Sequence, residues 1–375
     1  MKNKIHNYDF LIIGAGLIGS LTALALNKKK FKVLAVDKES KKLQDKRTLA
    51  VNANSKDFLV QLGIWNKLKS KPQSINKIII KDYINSSPLI FENINEPMGN
   101  VVFNREVLHE AKKLCLKNKI LINNYNLDFN NISKNNIITI KEQSYRFKKI
   151  ILCIGKGLKF DPKNDNKNRT LKNNQFSHVG FFDHSRIHRN IAYEIFTKNG
   201  PLAVLPSPNK NNLTSTFIYS SKKEIKNQEI RSLIRKNFLV SHGKINFSDN
   251  IYRYPISVKI NKNKSNFILL GDALRSIHPV AGQGWNLGIK DIQTICSLCD
   301  QFSLDNNLIN EIYFARRFME SALYLSFTSS LNFLYENINP ITKNIIKIGY
   351  QGLNNLKIAK NVFIKQAMGR FNLID

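Results

Sequence analysis

Two glycine-rich stretches carry the residue types that could do chemistry in this chain. The first, "GAGLIG", spans residues 14–19 behind an apolar run. The second, "LLGDALRSIHPVAGQGWNLGIKD", spans Leu269–Asp291 and sets an acid, a His-Pro pair and bare backbone in one loop. Gly14, Gly16 and Gly19 fit the G-x-G-x-x-G spacing of a dinucleotide loop. In such a loop the first glycine permits the tight turn. The second lets a pyrophosphate approach the backbone, and the third lets helix and strand pack closely. Free N–H groups at the following helix start would face the phosphates. Asp37, eighteen residues past Gly19, is placed to accept hydrogen bonds from ribose hydroxyls. FAD and NAD both satisfy this motif.

Arginines suited to bidentate phosphate contact follow at Arg47 and Arg105. A surface ion pair is an equal reading for either one from spacing alone. Cys296 and Cys299 form a C-x-x-C pair within "DIQTICSLCD", an apolar helix-like stretch where positions i and i+3 share a face. No second such pair or histidine pair supports a metal, so buried thiols are expected. His278 is a candidate acid or base, or simply the fixed residue of a His-Pro turn.

The elements that must position these residues read as follows. "YDFLII" at residues 8–13 is a buried strand, "LTALALNKK" a helix and "FKVLAVD" a second strand, a βαβ unit. Residues 48–62 are expected to continue from Arg47 as a helix, stopped by Gly63. "NREVLHEAKKLCLKN" is an amphipathic helix, and "YRFKKIILCI" at 145–154 another buried strand. Residues 76–103 alternate in character, with breaks at Pro88 and Pro97. The polar tract "KNDNKNRTLKNNQ" at 163–175 reads as a linker or exposed loop. From Phe176 to Tyr254 the pattern is strand-like, and beyond Asp291 it is mainly helical.

Composition narrows the class. With 375 residues and 42% apolar content the chain can build one large or two medium cores. Lys and Arg number 58 against 27 acids, a formal charge of +31. Such a balance suits an anionic surface. The lysines are scattered, as an AT-rich coding bias would scatter them, and not gathered with stacking aromatics as nucleic-acid binding requires. Four cysteines make no disulfide framework and point to a reducing, cytoplasmic compartment. Residues 10–26 resemble a signal-peptide core. Their three spaced glycines suit a phosphate loop better, and no apolar run reaches the roughly 20 residues that span a bilayer.

The second loop resembles a family signature. Gly271-Asp272, His278-Pro279 and Ala281-Gly282-Gln283-Gly284, then Asn286-Leu287-Gly288 and Asp291, match the flavin-dependent aromatic hydroxylases of the p-hydroxybenzoate hydroxylase fold. The resemblance is closest to the ubiquinone-biosynthesis hydroxylases of the 2-polyprenyl-6-methoxyphenol hydroxylase type. "RTLAVNANSKDFLVQLGIW", "NGPLAVLPSP" and "IKIGYQGLNNLKIAKNVFIKQAMG" are similar to family segments too. The resemblance implies an α/β fold: a Rossmann-like FAD-binding domain (1–75, 99–165 and 256–300) interleaved with a β-rich substrate domain (76–98 and 166–255), then C-terminal helices (301–375).

It implies FAD as the cofactor. Gly14, Ala15, Gly16, Leu17, Ile18 and Gly19 would hold its pyrophosphate. Asp37 with Lys38 would take the adenosine ribose, and Asp272 the ribityl hydroxyls. Pro279, Gly282, Gln283, Gly284, Trp285 and Asn286 would lie at the ring edge, where a helix start stabilises charge on the reduced ring. Arg47 and Arg105 match arginines near the cofactor. The reaction implied is hydroxylation of a polyprenylated phenol with O₂ through a C4a-hydroperoxyflavin, with the flavin carrying the chemistry and no catalytic side chain.

Two departures stand out. Many members of that family carry Asp-Gly where this chain has Ile154-Gly155; the electron donor implied is NAD(P)H or a separate reductase, and the missing acid counts against direct nicotinamide reduction. Relatives carry histidine where this chain has Arg275, which would make the adjoining pocket more cationic. Alternative readings are a prenyl-lipid reductase or halogenase of the same fold, a tRNA-modifying flavoprotein, and an FAD-retaining subunit of a quinone-making complex. The stretch "FARRFMESALYLSFTSSLNFLYENINPITKNIIKIGY" mixes aromatics, aliphatics and cations as interfacial helices do. It would bring the protein to the inner face of the cytoplasmic membrane, or else form a helical lid on the flavin domain.

Overall fold

The computed structural model describes residues 5–38, 47–85, 87–127, 132, 136–155, 171–208, 211–247, 250–261, 267–278, 282–305 and 307–370. Three sheets organise them. In the first, β17 (Phe267–Leu269), β10 (Gln143–Leu152), β1 (Ile5–Ile13), β2 (Val33–Val36) and β8 (Leu121–Ile122) lie side by side and parallel. β9 (Ile137–Ile140) pairs antiparallel with β10. Helices cover the faces of such a sheet, so its strands read as continuous apolar runs. Phe10, Leu11, Ile12, Val33, Ala35, Ile150, Ile151, Leu152 and Ile268 are all buried. The covering helices include α1 (Leu17–Lys28), α3 (Asn104–Lys117) and α5 (Gln283–Gln301).

A small antiparallel sheet joins β3 (Thr48–Asn52), β7 (Gly99–Phe103) and β4 (Gln73–Ile75). Here the sequence expectation needs correcting. The helix expected to run from residue 48 begins only at α2 (Ala53–Gln61), because residues 48–52 pair with β7. Asn52 marks the change: its side chain accepts the Ser55 N–H at 2.9 Å and caps the helix.

The largest sheet runs β18 (Arg275–Ser276), β16 (Tyr252–Ile260), β11 (Leu171–His184), β14 (Thr214–Ser221), β13 (Gly200–Pro206), β12 (Ile191–Thr197), β5 (Lys77–Asp82) and β6 (Leu89–Glu92), with β15 (Ile245–Asn246) paired to β11. β16 carries this sheet to Ile260. β11 begins at Leu171, so the end of the polar tract is strand and not loop; its residues 163–170 lie outside the described residues. Strand alternation divides the two faces. Phe182, Phe217, Tyr219, Leu202 and Val204 bury one face against α4 (Asn227–His242). Phe181 on the opposite face meets Phe103 of the small sheet, ring centres 6.5 Å apart.

That opposite face also receives the C-terminal helices α6 (Leu308–Glu336), α7 (Pro340–Asn355) and α8 (Lys357–Ala367). Tyr335 stacks on Phe196 at 4.3 Å, and Phe363 tilts against Phe91 at 4.6 Å. Asn339 accepts N–H bonds from Ile341 and Thr342, with Pro340 at the first helical position, so α7 starts sharply. No helix among the described residues is long and apolar enough to cross a membrane.

Candidate cofactor site at the strand ends

Ligands of open parallel sheets gather outside the carboxyl ends of the strands. Four such ends converge here. β1 runs into Gly14, β2 into Asp37, β10 into Ile154-Gly155 and β17 into Gly271-Asp272. Backbone bonds hold the ends level: Gly14 N–H to Val36 O at 2.8 Å, Cys153 N–H to Ile13 O at 2.8 Å, Leu270 N–H to Leu152 O at 3.1 Å.

The glycines of the first loop do separate jobs. Gly14 sits at φ +91°, and a Cβ there would lie 2.8 Å from Cys153 O. A Cβ at Gly19 would lie 1.8 Å from Gly14 O, so only glycine closes this turn. A Cβ at Gly16 would meet nothing within 4 Å, so that position faces open space. Ala15 is buried, and its carbonyl accepts from Ser20 Oγ at 2.8 Å. α1 then starts without a side-chain cap and without an acid in its first turn. The amides of Leu17, Ile18 and Gly19 precede the first helical bond, Ser20 N–H to Gly16 O. An uncapped helix start beside open space fits an anionic pyrophosphate.

Asp37 is nearly buried, and its Oδ2 accepts from Lys112 Nζ at 2.6 Å. Its backbone is fixed by Ile122 O and Tyr125 N–H, each at 3.0 Å. Lys38 beside it is exposed. Lys112 was not legible as a site residue, because its partner lies on another element.

The second loop is bound to the first through Ile18. A Cβ at Gly271 would stand 3.1 Å from Ile18 Cγ1, and one at Gly288 only 2.6 Å from Ile18 Cδ1. Two bare positions of the second loop therefore close around one side chain of the first. Gly271, at φ +61°, opens the short 3-10 turn Gly271–Ala273, which leaves Asp272 exposed. Pro279 and Ala281 lie outside the described residues. Gly282, at φ +60°, begins α5 with no side-chain cap, and Gln283, Gly284 and Trp285 form its first turn. The Trp285 indole Nε1 is buried without a partner among the described residues. Asn286, in the same first turns of α5, bonds backbone of the small sheet. Its amide donates to Ala50 O at 3.0 Å and accepts Asn52 N–H at 3.1 Å, locking α5 to β3.

The arginines are brought together by backbone: Asn104 N–H bonds Arg47 O at 3.0 Å, beside Arg105. The Arg47 guanidinium lies 5.5 Å from the Tyr254 ring centre, a link to the large sheet. Arg105 is exposed and lies 5.1 Å from the Phe103 ring centre. His278 is buried, and burial pushes its imidazole down to about 4, so it is neutral at pH 7.

Arg275 is buried, not lining a cationic pocket, because Asp291 draws it inward. Its Nη1 donates to both Asp291 oxygens at 2.9 and 3.0 Å, while Nε and Nη2 have no partner among the described residues. Asp291, fully buried, also accepts Gly271 N–H at 2.9 Å and Arg317 Nε at 2.7 Å. Arg317 reaches Glu320, which Lys290 also contacts at 3.0 Å. Burial opposes the charge on Arg317, yet Asp291 and Glu320 hold it above its ordinary value. The four cysteines are free. Burial pushes each thiol up to about 12, so the C-x-x-C pair stays protonated.

Comparison with known proteins agrees with this geometry. The family model described as an FAD binding domain matches residues 7–114. The ubiquinone hydroxylase UbiL of Rhodospirillum rubrum is 26% identical over 400 residues, covering 97% of this chain and 90% of that protein. The mitochondrial ubiquinone biosynthesis monooxygenase COQ6 of Dictyostelium discoideum is 23% identical over 460 residues, covering 98% and 92%. Among solved structures, p-nitrophenol 4-monooxygenase PnpA from Pseudomonas putida superposes with a TM-score of 0.74 at 14% identity, covering 99% of this chain and 100% of that one. The chain therefore has the fold of the flavin monooxygenases, carries an FAD-binding domain and is homologous to ubiquinone-biosynthesis hydroxylases.

Proposed function

We propose that this FAD-dependent monooxygenase hydroxylates the aromatic ring of a polyprenylated phenol during ubiquinone synthesis, close to a membrane surface. The observation that carries the reading is the closure of both glycine loops on Ile18 at the ends of four parallel strands. It makes one elongated site from segments far apart in sequence. Gly14–Gly19 and the start of α1 take the pyrophosphate, and Arg47 and Arg105 supply cations to the cofactor. Asp37, steadied by Lys112, accepts the ribose hydroxyls, and Asp272 accepts the ribityl hydroxyls, which are donors. The start of α5 at Gly282–Trp285 faces the ring, where its amides favour negative charge. Asn286 acts at one remove, by holding β3 to α5.

Bound FAD supplies the redox and oxygen chemistry. The chain's own part is to orient two rings and keep water away. The face of the large sheet that carries Val179 and Phe181, paired with Ile218 and Thr216, offers an apolar wall on the side of Phe103. Ile154 is partly buried against the flavin-domain core at the position where the family resemblance implies an acid, which favours an electron donor other than a directly bound nicotinamide. The same residue favours, as a second reading, a subunit that retains FAD without turnover.

Absorption spectroscopy of the purified protein tests the first step, with oxidised-flavin bands expected. Dithionite-reduced protein is then mixed with O₂ and a short-chain, water-soluble phenol. A product heavier by one oxygen atom supports the proposal. Colourless protein that takes up no FAD overturns it. Bound flavin that reoxidises without product assigns the subunit role instead.

A further inference from the structure

We infer that α6, α7 and α8 present a docking face for an anionic lipid bilayer. α6 and α7 bury one side, α8 rests on the protein through the partly buried Phe363 and Ile364, and all three expose large apolar residues elsewhere. On α6 the exposed Leu323 and Phe327 are one turn apart. On α7, Thr342, Ile346 and Tyr350 face the protein, while Ile341, Ile345 and Ile348 form a second stripe, the outer two about 70% exposed. On α8, Ile358 and Val362 continue the pattern, Ile358 at 81% exposure. Among the described residues, 11 of the 21 exposed large apolar side chains belong to these three helices. Patches of this kind on a folded chain mark an interaction surface.

Charge identifies the occupant. Residues 337–374 contain no acid and six cations; Arg370 is paired with Asp57 and Glu96, which leaves Lys343, Lys347, Lys357, Lys360 and Lys365 to the face. A second copy of this chain would set this cationic face against its like. Anionic headgroups complement it, and the lysine stems reach toward headgroups while isoleucines enter the acyl boundary. With 16 and 11 residues, α7 and α8 are too short to span a bilayer and suit its surface. α6 adds a functional link. The turn carrying Arg317 reaches Asp291 beside the flavin loop, and Leu323 and Phe327 follow within the same helix. A lipid-borne phenol would leave the bilayer next to the site that uses it.

This deepens the proposed function and rests on it only for the lipid nature of the substrate. Binding is scored without substrate, so either can fail alone. The full chain with its FAD is sedimented with phosphatidylcholine vesicles, with or without phosphatidylglycerol, at low and high salt. Binding to the phosphatidylglycerol vesicles, weakened by salt, is expected, with little binding to pure phosphatidylcholine. Combining Ile345→Glu, Ile348→Glu and Ile358→Glu should reduce binding about tenfold or more, with FAD content and turnover of a soluble phenol unchanged. Should that variant lose FAD, Lys343→Gln with Lys347→Gln and Lys357→Gln gives the same test through charge. Wild-type protein left in the supernatant overturns the inference, as does a folded variant that binds like wild type. A wild-type dimer that the glutamates dissociate, with no vesicle binding, assigns the face to a second copy instead.

Discussion

At the scale of single residues, the two loops divide into groups that shape space and groups that offer charge. Gly19 and Gly288 belong to the first kind, since added carbons would strike Gly14 O and Ile18. Asp272 belongs to the second: it is exposed on the 3-10 turn Gly271–Ala273, with no side-chain partner among the described residues. A carboxylate that accepts from a ligand hydroxyl makes a hydrogen bond worth about 1.5–3 kcal/mol. Asp272→Ala is therefore expected to weaken FAD binding by about 10- to 100-fold, with the unliganded protein as stable as wild type. Flavin fluorescence titration of the apoprotein measures this. Equal affinity would remove Asp272 from the site. Lys112 shows what spacing conceals: its contact with Asp37 joins α3 to the end of β2 and has no local signature.

At the scale of elements, the buried charges tie α5, α6 and the β17 turn into one unit. Asp291 serves Gly271, Arg275 and Arg317 at once. Removing one partner of such a group strands the others and costs about 3–5 kcal/mol. Asp291→Ala should lower the urea midpoint accordingly and loosen FAD, since Gly271 loses its acceptor. Arg275→His should cost far less, because Arg317 still neutralises Asp291 and two unpaired Arg275 N–H groups disappear. Equal effects from the two changes would contradict this account. The elements themselves were largely legible. Continuous apolar runs announced β1, β2 and β10, and the glycine spacing announced the turn into α1. Residues 48–52 misled because a short strand pairing with distant β7 overrides a helix-like pattern. Arg275 misled for the same kind of reason, as its direction is set by Asp291, sixteen residues on and in the next element.

At the scale of the whole molecule, the formal charge of +31 makes added protons costly everywhere, and one region concentrates that cost. His184, His188 and His242 come from β11, a loop and the end of α4, so no sequence pattern joins them. Their rings nevertheless meet beneath the large sheet, His184 and His242 at 4.7 Å and His184 and His188 at 6.0 Å. Burial pushes His188 down to about 4 and His242 to about 3, aided by the neighbouring imidazoles, and lowers His184 as well. The folded values lie below the ordinary value of 6.5, so the unfolded chain binds more protons in between. Stability from this cluster is complete above about pH 6.5 and falls as pH drops toward 4 and 3. Folding lowers the proton affinity of these imidazoles, so charging them in acid opposes the folded state. Acid unfolding followed by circular dichroism should therefore begin below pH 6.5 and steepen toward 4. His242→Phe, which keeps a ring against Phe182 and Phe238, should move the midpoint to lower pH. Salt should relieve the repulsion among surface lysines but leave that displacement of the midpoint intact, because the imidazoles are buried. An acid midpoint that ignores the phenylalanine and follows only salt would place the weakness in the general charge and not in the three histidines.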